Sequence, residues 1–61
     1  MSPMRFGVRL VRDDKITVSQ LEEALRLQSE GDNRRLGEIL VDKGFLEQDT
    51  LDQYLKESAE G

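Results

Sequence analysis

The 61-residue sequence contains no cysteine and no histidine. Without cysteine the chain can form neither a disulfide nor a thiolate metal site, and without histidine as well it lacks the ordinary ligands of zinc. A chain of this length forms one small domain at most and buries only about 60% of its unfolded surface. We therefore expect a bound ligand, a second copy of the chain or another partner to add to its stability.

Long apolar runs and catalytic motifs are also missing. No stretch approaches the roughly 20 apolar residues of a membrane-spanning helix, and the first residues lead into no secretory signal. This predicts a cytoplasmic protein without membrane insertion. The sequence has no phosphate loop of the form G-x-x-x-x-G-K-[ST]. A chain this short can scarcely enclose a substrate pocket, so we expect that it is not an enzyme and needs no cofactor.

Negative charge predominates but is unevenly placed. The formal net charge is −4. Residues 1–35 carry seven basic and six acidic groups, whereas residues 36–61 carry two basic and seven acidic groups. This balance argues against DNA binding. It still permits a small anion held by a few placed arginines, and the acidic end could dock on a basic partner.

The sequence repeats itself after thirty residues. Identical residues recur as Arg5 and Arg35, Gly7 and Gly37, Leu10 and Leu40, and Val11 and Val41; similar or identical ones follow as Ile16 and Leu46, Leu21 and Leu51, and Leu25 and Leu55. A fixed internal period defines the structural unit of a chain. Two copies are too few for a solenoid and indicate a pseudo-symmetric pair.

Each copy predicts two helices, because apolar residues recur at helical spacing and no strand-like alternation is present. The first helix should begin at Pro3, with Ser2 as its N-cap, and run through about residue 13. Thr17 and Gln20 form a capping-box pattern at the start of the second helix, which should end at Gly31.

The second copy predicts a third helix from about Arg34 to Lys43, with Asp32 and Asn33 as N-cap and Gly44 as its stop. The fourth helix should run from about Gln48 to Ala59. The predicted fold class is all-α, with four short helices arranged as two pseudo-symmetric helix-turn-helix pairs in a single domain. The leucines should form the core; Phe6, Phe45 and Tyr54 are expected to join it, and Arg9 and Arg12 are expected to face solvent.

The repeated pattern is similar to a known family motif. It reads Arg-Leu-Gly, two residues, Leu-Val, two residues, Gly, one residue and an aliphatic, followed by Leu, Leu and Gln at helical spacing. This resembles the N-terminal (MshEN) domain of type IV pilus and type II secretion assembly ATPases, in which two such 24-residue motifs stand in tandem. Here residues 5–28 and 35–58 are the two motifs, and residues 29–34 are the spacer.

In the cyclic di-GMP-binding members of that family, each motif contacts one half of the dinucleotide. The resemblance implies that Arg5 and Arg35 meet phosphate or guanine edges, that Gly7 and Gly37 allow close backbone approach, and that Gln28 bonds a base. Asp14, Ser58 and Phe6 depart from the family's Gly, Gln and Leu. Asp14 adds negative charge, but its carboxylate could accept from the N–H edge of guanine. Independently, helix N-termini attract anions, and the arginine fork suits phosphate and the guanine edge.

Alternatives stay open for these residues. The two glycines could serve a tight helix crossing, and Gln28 could be a helix cap or a solvent residue. For the whole chain, the resemblance implies a cyclic di-GMP receptor linked to pilus, secretion or motility signalling. The second reading is a protein docking domain of such a system that binds no nucleotide. The chain would then be either one domain of a larger protein or a free-standing relative.

Overall fold

The computed structural model describes the backbone of residues 3–59 and the side chains of residues 5–57. Its helices are α1 (Pro3–Arg12), α2 (Val18–Ser29), α3 (Leu36–Asp42) and α4 (Gln48–Ala59). Residues 3–59 contain no strand, so the all-α prediction is confirmed. The predicted N-cap Ser2 and the side chain of Ser58 lie outside the described residues.

The turn that follows each short helix is the same in both copies. After α1, the N–H of Asp14 donates to Val11 at 3.0 Å, and that of Lys15 donates to Leu10 at 2.8 Å. Thirty residues on, the N–H of Gly44 donates to Val41 at 3.0 Å, and that of Phe45 donates to Leu40 at 2.9 Å. These bonds satisfy carbonyls that the end of a helix leaves without an intrahelical partner.

Within each helix pair, a glycine of the short helix faces a leucine of the long one. A Cβ atom on Gly7 would lie well inside van der Waals contact of Leu21, and a Cβ atom on Gly37 would lie equally close to Leu51. Since Leu21 and Leu51 are themselves thirty residues apart, equivalent residues meet in the two helix pairs. The missing side chain at each glycine lets the two helices approach.

The core confirms most of the predicted apolar face. Leu10, Ile39 and Leu40 are fully buried, and Tyr54 is buried as well. Phe6 and Phe45 are half-buried and pack against this core. The prediction was wrong for Leu55, which is 42% exposed although it repeats the half-buried Leu25. The reason is that α2 packs against both α1 and α3, whereas the backbone of α4 packs against α3 alone.

At the helix starts, the predicted capping box of α2 is confirmed, whereas the predicted start of α3 is wrong. The Thr17 hydroxyl accepts from the N–H of Gln20 at 3.1 Å, and the Gln20 side chain accepts from the N–H of Thr17 at 2.9 Å, as the capping box requires. The third helix, however, begins at Leu36 with Arg35 in the N-cap position. Asp32 does not cap it, because its carboxylate accepts from the backbone N–H of Arg34 at 3.0 Å instead.

Candidate functional site

Arg5 and Arg35 are exposed and occupy related positions at the starts of the two short helices. Arg5 lies in the first turn of α1, and Arg35 directly precedes α3. Among the described residues, neither guanidinium makes a hydrogen bond or an ion pair. Both side chains are therefore available to an anion.

The two helix starts also lie next to each other. The side chain of Leu36 comes within 3.1 Å of the position that a Cβ atom on Gly7 would take. Leu36 follows Arg35 directly, and Gly7 is two residues beyond Arg5. The contact between α1 and α3 therefore brings the two arginines to neighbouring stretches of backbone.

Gly7 and Gly37 have a packing role in this arrangement. Both are buried, and each is covered by the leucine of its own helix pair. This contact gives a structural reason for a glycine at each position. The implied close approach of a ligand to the same two residues stays a prediction.

Asp14 keeps the backbone conformation of the glycine that it replaces. Its φ angle is 65°, and that of the equivalent Gly44 is 79°. The side chain is exposed. Asp14 lies two residues beyond the end of α1, whereas Arg5 lies in the first turn of that helix.

Gln28 is near the end of α2, and its carboxamide donates to the carbonyl of Arg34 at 3.1 Å. This contact ties α2 to the spacer directly before Arg35. Contact between Gln28 and a base stays a prediction. The structure thus places Gly7 against Leu36, the residue after Arg35, and links Gln28 to Arg34, the residue before it. Asp14 follows the far end of α1 from Arg5.

Arg34 and Asp32 form a charge pair next to Arg35. One nitrogen of the Arg34 guanidinium lies 2.8 Å from Asp32, and another lies 3.3 Å from Asp42. Hydrogen bonds from the Arg34 side chain and then from its backbone N–H lower the pKa of Asp32 to about 2. The same carboxylates, Asp32 first and Asp42 second, raise the pKa of Arg34.

A second cluster joins α1 to α4 and was missed at the sequence level. The Tyr54 hydroxyl donates to Asp13 at 2.5 Å, and the Arg9 guanidinium lies 5.3 Å from the centre of the Tyr54 ring. Arg9 also pairs with Glu57 at 3.1 Å. Arg9 is half-buried, so the expectation that it faces solvent holds only in part, while Arg12 is exposed as expected.

A signal for this cluster was present in the repeat. Arg9 occupies the place of Ile39, and Tyr54 occupies the place of Ala24. Two polar groups thus replace two fully buried apolar ones at equivalent positions. The hydrogen bond to Asp13 is the first cause of a raised Tyr54 pKa, and burial is the second.

The described part of the chain offers no group of three acidic side chains placed to hold a metal ion. None of its helices is both long enough and apolar enough to cross a bilayer. Comparison with family models, with curated proteins and with solved structures finds no match to this chain.

Proposed function

We propose that this chain is a non-enzymatic binding module for cyclic di-GMP, acting in the cytoplasm in pilus, secretion or motility signalling. The observation that carries the proposal is the pair of exposed arginines, Arg5 and Arg35, which stand at equivalent places in the two motifs and pair with no other side chain among residues 5–57. The choice of cyclic di-GMP as the ligand comes from the sequence resemblance to the MshEN domain. The repeat of the two helix pairs supports the proposal, since a twofold dinucleotide would need two related half-sites.

The chemistry of the two arginines agrees with this ligand. Cyclic di-GMP carries two phosphodiesters and two guanines, and a guanidinium can pair with either a phosphate or the guanine O6/N7 edge. The α1–α3 contact through Gly7 and Leu36 would let one ligand engage both arginines. Bound in this way, the dinucleotide would link the two helix pairs and stabilise the fold.

A calorimetric titration with cyclic di-GMP tests the proposal. We expect saturable binding of about one ligand per chain. Arg5→Ala and Arg35→Ala should each weaken it by roughly 10- to 100-fold, since each loses a hydrogen bond to a charged group. Arg12→Ala is the matched control, because Arg12 is an exposed arginine of α1 without a counterpart in the second motif.

A melting experiment provides an independent readout. Ligand at about 100 times its Kd should add about 2.7 kcal/mol to the free energy of unfolding, which raises Tm by at least 10 °C or so in a domain of this size. If the titration shows no heat of binding and the ligand does not raise Tm, the proposal that this chain binds cyclic di-GMP is rejected. Cyclic di-AMP should bind more weakly if guanine edges are read.

The second candidate function is docking on a basic protein partner without nucleotide. It is favoured by the outer surface of α4, where Asp49 and Asp52 are exposed and Leu55 is 42% exposed. An exposed leucine beside carboxylates suits an amphipathic basic segment. If the titration with cyclic di-GMP gives no binding, Leu55→Ser and Asp52→Lys are the variants to compare in partner capture.

A further inference from the structure

Every polar group of Arg34 is engaged by another part of the chain. Its backbone N–H donates to Asp32 at 3.0 Å, and its carbonyl accepts from Gln28 at 3.1 Å. Its Nε and one terminal nitrogen contact Asp32 at 3.1 and 2.8 Å, and the other terminal nitrogen lies 3.3 Å from Asp42. Arg34 thus joins α2, the spacer and α3, and it directly precedes Arg35, whose guanidinium pairs with no side chain in the described part of the chain.

The first motif has no such arrangement. Met4 occupies the place of Arg34, and Arg12 occupies the place of Asp42. There α1 begins at Pro3, so the helix itself fixes the backbone of Arg5. In the second motif the helix begins one residue after Arg35, whose backbone is extended with φ −68° and ψ 152°. The carbonyl of Arg35 accepts from the N–H of Ile39 at 3.1 Å, and its own N–H donates weakly to Glu38 at 3.4 Å. The chain on the other side of Arg35 is held through the contacts of Arg34.

We propose that Arg34 is a positioning residue that fixes the peptide before Arg35 and so presents the free Arg35 guanidinium to the ligand. This rests on the proposed function of the chain. Arg34 would have to leave two carboxylates to bind the ligand itself. Its single positive charge also offsets part of the two negative charges of Asp32 and Asp42, which would otherwise lie uncompensated near an anionic ligand.

The effect on affinity follows from preorganisation. A segment that is already ordered loses less conformational freedom when the ligand binds. We expect Arg34→Gln to weaken cyclic di-GMP binding about tenfold, which corresponds to about 1.4 kcal/mol. A residue that acts through Arg35 should lose its effect when Arg35 is absent, whereas an independent contact should keep it.

A double-mutant cycle measured by calorimetry makes this distinction. Arg34→Gln should cost about tenfold in the unaltered chain and in Arg5→Ala, but less than about twofold in Arg35→Ala. An undiminished loss in the Arg35→Ala background would overturn the inference, because Arg34 would then contact the ligand directly.

Asp32→Ala is a second test variant. For this variant, simple electrostatics and the positioning role predict opposite changes in affinity. Removing a carboxylate near an anion site should strengthen binding by Coulomb attraction alone. Positioning predicts weaker binding, because Arg34 loses its main partner. Tighter or equal binding by Asp32→Ala would therefore also overturn the proposal.

A ligand-free measurement separates this inference from the proposed function. In Asp32→Ala the {¹H}–¹⁵N NOE of the Arg35 amide should fall, while amides in the middle of α2 keep their values. An unchanged Arg35 NOE overturns the positioning role. If the NOE falls but the unaltered chain binds no cyclic di-GMP, the proposed function fails and the presentation of Arg35 to that ligand fails with it. If the ligand binds and the losses of Arg34→Gln and Arg35→Ala simply add, the positioning role of Arg34 is wrong while the proposed function stands.

Discussion

Asp14 and Gly44, thirty residues apart, adopt the same left-handed backbone conformation, with φ angles of 65° and 79°. Each follows a short helix and closes its end with an N–H bond of 3.0 Å to a valine carbonyl. Glycine takes this conformation without steric cost, whereas an L-residue with a Cβ atom does not. Asp14 therefore adopts the same turn as Gly44, although aspartate disfavours this backbone conformation.

Asp14→Gly should raise the free energy of unfolding by about 0.5 kcal/mol, and Gly44→Ala should lower it by about 1 kcal/mol. A Cβ atom on Gly44 would meet nothing within 4 Å, so the second effect is a backbone effect alone. Urea unfolding of both variants measures these changes. Stabilisation by Gly44→Ala would contradict this account of the turn. Titration of Asp14→Gly with cyclic di-GMP would show whether the carboxylate contacts the ligand.

The helix crossings give a second prediction. Gly7→Ala and Gly37→Ala should each destabilise the chain by about 1–3 kcal/mol, although alanine favours helix formation over glycine by roughly 1 kcal/mol. The added methyl group would meet Leu21 or Leu51, both of which are buried. The unfolding free energies of the two single variants measure the effect.

A paired substitution serves as its control. If the clash is the cause, Gly37→Ala should cost less in a Leu51→Ala background than in the unaltered chain. Equal costs in both backgrounds would show that the glycine has another role. Since Gly7 and Gly37 have equivalent neighbours, the same result is expected for Gly7→Ala with Leu21→Ala.

The thirty-residue period predicted much of this fold because it fixes several kinds of structure at once. The leucines that repeat after thirty residues predicted the core. The repeated glycines lie where the helices of each pair meet, and Gly44 predicted the turn conformation that Asp14 also adopts. The period could not predict Leu55, since identical residues become equally buried only when the surrounding helices are equivalent. Here α2 packs against two helices, α1 and α3. In the described residues, the backbone of α4 approaches only that of α3.

Side-chain partners were harder to predict than helices. Asp32 is a good N-cap residue by type, but Arg34 two residues later offers it both a backbone N–H and a guanidinium. In the structure Asp32 bonds to Arg34, and the helix begins at Leu36. Arg9 lies beside Tyr54 and Glu57, which are more than forty residues away in the chain, and a sequence does not show such long-range contacts.

The α1–α4 cluster gives a third prediction. Tyr54→Phe keeps the ring and its edge-on contact with Phe6, whose centroid lies 6.0 Å away, but removes the hydroxyl that donates to Asp13. We expect a loss of about 1 kcal/mol of unfolding free energy, the usual net worth of one hydrogen bond. Amide hydrogen exchange in α4 should accelerate more than in α2, because the bond holds α4 to α1.

Asp13→Asn tests the same bond from its other end. Combined with Tyr54→Phe, it should add little further loss, since both substitutions remove one interaction. Additive losses would mean that each residue acts through a different neighbour. Arg12→Gln, on the same helix and exposed, should change neither stability nor exchange in α4.

The Asp32–Arg34 pair predicts a pH dependence with a definite sign. Arg34 lowers the pKa of Asp32 to about 2 from an ordinary value of 3.8. A carboxyl group whose pKa is lower in the folded chain contributes stability that is fully present above its unfolded pKa and is lost as the pH falls through its folded pKa. The contribution of this pair should therefore persist at neutral pH and disappear between about pH 4 and pH 2.

An NMR titration of the side-chain carboxyl carbons measures this directly. The Asp32 resonance should titrate near pH 2 in the unaltered chain and move toward 3.8 in Arg34→Gln, because that variant removes the guanidinium. Arg12→Gln leaves the pair intact and should leave the Asp32 midpoint in place. In melting experiments, the difference in Tm between the unaltered chain and Arg34→Gln should narrow as the pH falls from 4 to 2. A difference that stays constant over that range would show that Arg34 stabilises the chain through packing of its aliphatic stem rather than through Asp32.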